Sequence, residues 1–492
     1  MQSGWKELFI LLAAMIAFGW VHLYRRQWKP SRTAHGRART ANWRDLKRAG
    51  FFNRFGFVLA RTKLGVLLQV PDTIFSLLVA PPGAGKTVSL IIPNLLKWVW
   101  GSVIALDVKG ELFAITAAAR QRMGDRVVRL APFSGGLDCL NPLDWIRAGA
   151  LMIDQARALA AALIVRTGLE HEAHWSDVAE ALVTAVIVFV IHTMKAVDRN
   201  LITVRDIACD YRELLKAACK LIEMGGVEAA MGHQVFGLFT IENGLTVLSK
   251  EGVSVVNTAV RNLTFLMSDL VAVSVTRSTF NPADLAKPGI AAFIQIPPEM
   301  QQAQRGLLRM WTHTIIQAVC AAGNWQGQTF FALDECATLG NLPALEQLIQ
   351  LGRAGGAKAL LVYQSDALVR AAFRDKPTLL HDGCSTQIYM GVTTLEEAQK
   401  ISGMIGQKTI VVECDSDNES RGWSRSAGQH GDSISENHGG GRSRQVQGRP
   451  LLRPEEILRL PSDLLICFHR GVPPIIARRI KWYEDREFAS QV

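Results

Sequence analysis

The stretch Ser76–Leu96, SLLVAPPGAGKTVSLIIPNLL, decides the fold. An apolar run, a turn of Pro and Gly, and a Lys-Thr pair opening a second apolar run spell a strand, a phosphate loop and a helix. Within it Ala80–Thr87, APPGAGKT, keeps the second half of the pattern G-x-x-x-x-G-K-[ST] intact, with Ala in the first position. Gly83 and Gly85 lack the Cβ that would stop successive backbone N–H groups from turning inward on phosphate oxygens, and the helix N-terminus adds its dipole. Lys86 is placed to reach the β- and γ-phosphates and Thr87 to ligate Mg²⁺. The expected nucleotide-binding set is therefore Pro82, Gly83, Ala84, Gly85, Lys86, Thr87 and Val88.

FFALDEC, Phe330–Cys336, supplies the acidic half. An apolar run ending in Asp-Glu puts Asp334 at the C-terminal edge of a strand, where it can hold the water shell of Mg²⁺, with Glu335 beside it as the base that orients attacking water. Alone, such a pair is usually a surface turn; coupled to a phosphate loop, it reads as a site. Strand–helix units run to about 30 residues each, whereas Asp334 lies 248 residues beyond Lys86. Something must be inserted between them.

Two weaker candidates follow. Gln364 ends the next apolar run, LVYQS, where it could sense the γ-phosphate or simply cap a turn. Arg353, in LGRAGG, stands on a glycine-flanked turn, a place from which an arginine in a ring ATPase reaches its neighbour's nucleotide; most exposed arginines do nothing of the kind.

Outward from these motifs, apolar runs at SVIALDV, RVVRLAPF, GIAAFIQIP, AKALLVYQS and STQIYMG alternate with helical stretches, which predicts an α/β fold with a parallel sheet. Residues 49–140 form its first part and 285–492 its second. Between them, 141–284 have long apolar faces at helical spacing and few strand signals, the pattern of an inserted all-α domain. Ala181–Ile191 is too short for a membrane span and follows Asp177 and Glu180, so a buried helix is expected. Residues 415–448, rich in Ser, Gly, Asn and Arg, read as a mobile loop.

With 49% hydrophobic and 20% charged residues in 492, the chain can bury a substantial core and is not disordered. The eight cysteines are scattered with no C-x-x-C pair, which points to a reducing compartment and no structural zinc. Net charge is +10, but 25–48 hold nine Lys/Arg against the single acid Asp45, leaving the rest nearly neutral. That basic linker follows the uncharged run LFILLAAMIAFGWVHLY, Leu8–Tyr24. Residues 1–24 therefore read as an uncleaved transmembrane anchor, and the positive-inside rule places the bulk of the chain in the cytoplasm. The basic tract thus needs topology, not nucleic acid, to explain it.

LVAPPGAGKTVSLIIPNLL, SVIALDVKGEL, CLNPLDWI, FALDECATLGNLPALEQLIQLGRAGGAKALLVYQS and RPLLRPEEILRLP occur in that order. Together, from about Thr33 to Tyr483, they resemble the coupling-protein ATPases of type IV secretion and bacterial conjugation, the TraG/TraD type. The resemblance implies a RecA-like P-loop NTPase domain with an inserted all-α domain behind an N-terminal transmembrane helix, assembled as a homo-hexamer in the bacterial inner membrane. It implies ATP and Mg²⁺ as cofactors. As partners it implies a relaxase or relaxosome with single-stranded DNA, or protein effectors, together with secretion-channel components. Lys86 and Thr87 match the family's phosphate-binding pair, Asp334 and Glu335 its acidic pair, Gln364 its sensor and Arg353 its trans-acting arginine. Asp107 and Lys109 match a signature near the nucleotide, and Pro93 within the loop's helix matches the family too, implying a tolerated kink. One departure stands out: such proteins usually have two spans around a periplasmic loop, and this sequence shows one. A septal-type double-stranded DNA translocase shares the core but would carry a C-terminal winged helix, for which there is no room after YEDREFASQV. A membrane-tethered adaptor with a structural nucleotide site is disfavoured by Glu335 and Arg353.

Overall fold

The computed structural model describes residues 15–16, 18–20, 33–71, 75–147, 149–166, 173–322, 328–352, 356–373, 376, 378–424 and 433–492. The expected membrane anchor falls outside these, save for residues 15, 16 and 18–20, which are helical. The chain divides into two compact units, one of Ala41–Val392 with Pro461–Val492, the other of Thr393–Leu460 with the N-terminal residues to Thr40.

The larger unit is built on an eleven-stranded sheet, β2 (Leu67–Val70), β1 (Phe57–Arg61), β15 (Val472–Arg478), β14 (Leu464–His469), β11 (Thr386–Tyr389), β3 (Phe75–Val79), β10 (Lys358–Tyr363), β9 (Phe330–Leu333), β4 (Val103–Leu106), β8 (Ile290–Ile294) and β5 (Arg126–Leu130), in that order across the sheet. From β11 to β5 every pairing is parallel, while β14, β15, β1 and β2 add antiparallel strands at one side. The central strands β3, β4 and β9 are buried at every residue, as a parallel sheet covered on both faces requires. These are the strands that the apolar runs announced.

Between β5 and β8, neighbours in the sheet, the chain runs through helices Met152–Leu163, Ala173–Thr193, Leu201–Cys209, Tyr211–Met224, Gly226–Phe236, Lys250–Leu263 and Asp269–Val275. This block is not all-α. Strands β6 (Phe239–Glu242) and β7 (Leu245–Leu248) form a hairpin within it, turned by Asn243 and Gly244, both at positive φ (52° and 77°). An Asn-Gly pair favours that turn because both residues tolerate the left-handed region. Nor does the block separate from the sheet as a compact unit of its own. The apolar helix Ala173–Thr193 is long enough to cross a membrane, but 72% of its most apolar window is buried within the fold.

The smaller unit corrects the expectation of a mobile loop at 415–448. Strands β12 (Gln407–Ser424) and β13 (Ser433–Pro450) pair antiparallel without interruption from Gln407↔Pro450 to Ser424↔Ser433. The low apolar content misled because a ladder satisfies backbone N–H and C=O groups whatever the side chains are.

The helix that leaves the phosphate loop is held by polar groups. It opens with a π turn, Thr87–Ile91, then continues as an α-helix, Ile92–Lys97, with Pro93 in its first turn. The wider turn resets the hydrogen-bond ladder, so the N–H that Pro93 lacks is not missed. Asn94, 1% exposed, accepts from Val58 N at 2.7 Å and donates to Val58 O at 2.8 Å, standing in for a neighbouring strand beside β1. Arg120, equally buried, donates to the carbonyls of Leu95 and Trp98 and pairs with Asp125, capping the helix C-terminus. Replacing Asn94 by Leu strands the Val58 N–H and C=O away from water. We expect a loss of about 3 kcal/mol in chemical denaturation; a loss under about 1 kcal/mol contradicts this role.

Candidate functional site

The parallel strands β3, β10 and β9 end side by side, and the candidate residues leave from those ends. Val79 pairs with Tyr363, Leu333 with Leu361, and Ala80 N donates to Tyr363 O at 3.0 Å. The loop then turns through Gly83 (φ +78°) and Gly85 (φ +75°), conformations that side chains resist. Among the described residues only Asn243 and Glu335 combine a side chain with positive φ. Ala80 is thus not held in the left-handed backbone that favours glycine, which is why alanine serves where glycine is usual. Lys86 is 9% exposed, and Thr87 begins the π turn.

Asp334 follows β9, one strand removed from the loop. Its Oδ2 accepts from the Thr87 hydroxyl at 3.4 Å. Burial pushes its carboxyl up to about 6; the positive charge of Lys86 and the Thr87 hydroxyl oppose this, while Glu335 adds to it. Its Oδ1 is buried and has no hydrogen-bond partner. A buried carboxylate oxygen left unpaired beside a hydroxyl is costly in isolation and suits a hard divalent cation, so the residues fit magnesium. Glu335 sits in the left-handed region (φ 58°, ψ 48°), a strain of the kind found at functional sites. Its carbonyl accepts from Thr338 N at 2.9 Å and Thr338 Oγ1 at 2.8 Å.

Gln364 directly follows Tyr363, so the register places it beside Ala80 on the strand between the loop and the acidic pair; it is half-buried. Arg353 lies outside the described residues. Asp107 directly follows β4, at the same edge of the sheet. Its Oδ1 accepts from Leu112 N at 3.1 Å, and its Oδ2 from Phe113 N at 2.8 Å and Gln295 Nε2 at 2.8 Å. Both oxygens are occupied in capping the helix Glu111–Arg122. Lys109 is exposed.

Three arginines escaped the sequence reading. Arg305 and Arg309, one turn apart on the helix Arg305–Ala321, reach the turn that follows Glu335: Arg305 Nε donates to Thr338 O at 2.9 Å, and Arg309 Nη1 to the carbonyls of Leu339 and Asn341. Arg309 Nε donates to Ala162 O at 3.0 Å in the last turn of the helix Met152–Leu163. Burial, with Arg305's charge, brings its guanidinium down to about 9. Arg479 Nη1 donates to the Ala84 carbonyl in the phosphate loop. Only the i, i+4 spacing of Arg305 and Arg309 on an otherwise apolar helix was available as a signal.

A RecA-like NTPase architecture is defined by this sheet and by the loop at its C-terminal edge. Residues 39–492 match the family model described as Type IV secretory system Conjugative DNA transfer, and the chain belongs to that family. Conjugal transfer protein TraG of Agrobacterium fabrum (strain C58 / ATCC 33970) is 30% identical over 423 residues, covering 84% of this chain and 61% of the relative. Protein VirD4 of the same organism is 29% identical over 472 residues, 92% of this chain and 66% of the relative. The chain thus spans 61 to 66% of the length of these curated relatives. Among solved structures, the plasmid coupling protein TrwB in complex with the ATP analogue ADPNP superposes with a TM-score of 0.66 at 15% identity, covering 92% of this chain and 96% of that one. TrwB with ADP and Mg²⁺ gives 0.65 at 15% identity, over 90% and 93%. At that identity the likeness is one of fold.

The turn after Glu335 depends on Gly340, at φ +59°, where a Cβ would run into the Arg305 guanidinium. Gly340→Ala should therefore lower stability by about 1–2 kcal/mol, measured by thermal denaturation; an unchanged midpoint contradicts the requirement.

Proposed function

We propose that this chain is the ATPase coupling protein of a type IV secretion machine, which receives relaxase-bound single-stranded DNA or protein effectors and drives their transfer by ATP hydrolysis. One observation carries the reading: the Thr87 hydroxyl meets the Asp334 carboxylate at 3.4 Å, beside the nearly buried Lys86. Family membership and the TrwB-like fold support it.

The loop's inward N–H groups and Lys86 hold the triphosphate of ATP. Thr87 and Asp334 would hold Mg²⁺, which would supply positive charge against the phosphate oxygens. Glu335 accepts the proton of the attacking water. Gln364, at the end of the intervening strand, reports the state of the γ-phosphate to the rest of the sheet. Arg353 serves a neighbouring subunit's nucleotide in a homo-hexamer, since a trans-acting arginine has work only at an interface. Residues 1–24 anchor the ring in the bacterial inner membrane, with the basic 25–48 on its cytoplasmic side. The block 141–284 is where cargo and relaxosome are recognised.

In cells lacking their own coupling protein, the wild-type chain should support transfer of a mobilisable plasmid or effector. Lys86→Ala and Arg353→Ala should each reduce transfer at least about 100-fold, as loss of a transition-state charge does. Full transfer by the Lys86 variant overturns the motor reading; full transfer by the Arg353 variant removes that residue from the interface.

A further inference from the structure

Arg479 hydrogen-bonds the phosphate loop from a part of the sequence that no nucleotide motif covers. It stands just past β15, in the segment that closes the larger unit. Its own backbone is pinned, with Arg479 N donating to Asp463 O at 2.7 Å, and its Nη1 donates to the Ala84 carbonyl. A Cβ at Gly85 would stand 3.0 Å from that same nitrogen, so glycine at 85, favoured by its left-handed φ of +75°, also leaves room for the arginine's approach. Burial lowers the guanidinium from its ordinary value, against the pull of Asp463 and Tyr483.

The consequence follows from peptide geometry. Among the described residues every peptide bond is trans, and in a trans peptide the C=O of one residue and the N–H of the next point in opposite directions across a rigid plane. Turning the Ala84–Gly85 peptide over changes ψ of Ala84 and φ of Gly85, and the glycine at 85, left-handed at φ +75°, lowers the steric cost of that change. A phosphate needs the N–H side facing it. Holding the Ala84 carbonyl outward on a guanidinium, in a charge-assisted hydrogen bond, keeps the Gly85 N–H turned inward.

The platform behind Arg479 is fastened to the elements that carry the loop. Glu487 pairs with Lys97 at the far end of the loop's helix, and with Arg61 of β1 at 2.9 Å; Asp485 also pairs with Arg61. Arg122 Nη2 donates to Gln491 O at 2.6 Å. Gly391, at φ +60°, lets the chain after β11 close on the loop as well, since a Cβ there would lie 3.1 Å from Ala84 Cβ.

We propose that Arg479 is a positioning residue of the nucleotide site, which locks the Ala84–Gly85 peptide in its phosphate-receiving orientation. This rests on the nucleotide-binding reading above and adds to it a contribution in cis from the end of the chain.

The test is the affinity of a fluorescent ADP analogue for the detergent-purified full-length chain, alongside steady-state ATP hydrolysis and thermal denaturation without nucleotide. Wild type should bind and Lys86→Ala should not. Arg479→Met should weaken binding about tenfold, the effect of one lost hydrogen bond to a charged group. The loss should fall on KM more than on kcat, Arg479→Lys should recover part of it, and the nucleotide-free melting temperature should stay close to wild type. Wild-type affinity in Arg479→Met overturns the inference, as does a melting temperature that falls along with affinity and is not rescued by Lys. A wild-type chain that binds no nucleotide overturns the functional reading itself, and is distinguished by the absence of any difference from Lys86→Ala.

Discussion

The Thr87 hydroxyl and the Asp334 carboxylate meet at 3.4 Å although 247 residues separate them. Everything in the larger unit that matters to the site serves this approach. Strands β3 and β9 flank a single strand, β10, in register that brings Val79, Leu333 and Tyr363 to the same edge. A parallel sheet has all its C-terminal ends on that edge, so loops that leave it share one crevice. The cost is a carboxyl in a poorly solvated place, raised to about 6 and left with an unpaired oxygen. The positive charge of Lys86 and the Thr87 hydroxyl offset part of that cost, and a hard divalent cation suits such an oxygen.

The helical block meets the turn after Glu335 at a buried cation. Among the described residues the hydrogen-bond partners of Arg309 are carbonyls: Ala162 at the end of a helix in the block, and Leu339 and Asn341 in that turn. Carbonyls at a helix C-terminus carry partial negative charge, which helps a guanidinium to be buried there.

What the sequence disclosed was what local pattern encodes. The apolar runs became β3 to β5 and β8 to β11, and the loop and acidic pair stood at strand ends, because period and punctuation are short-range signals. The β6–β7 hairpin was also legible, in Asn243-Gly244, but was overlooked among helices. The β12–β13 ribbon was not, since its ladder is backbone and its composition is that of a loop. Asp107 shows another limit: its motif marked a place at the sheet edge, but not that its two oxygens cap a helix. Arg120, Arg309 and Arg479 act on carbonyls far away in the chain, and no spacing announces a contact of that kind.

The central claim is that the loop after β3 and the acid pair after β9 make one hydrolytic site with divided labour. It is tested most directly by comparing ATP affinity and turnover in the Glu335→Gln variant of the purified full-length chain. The account expects affinity within a few-fold of wild type and hydrolysis slowed at least about 100-fold, the usual contribution of a general base. Undiminished turnover in that variant would contradict it.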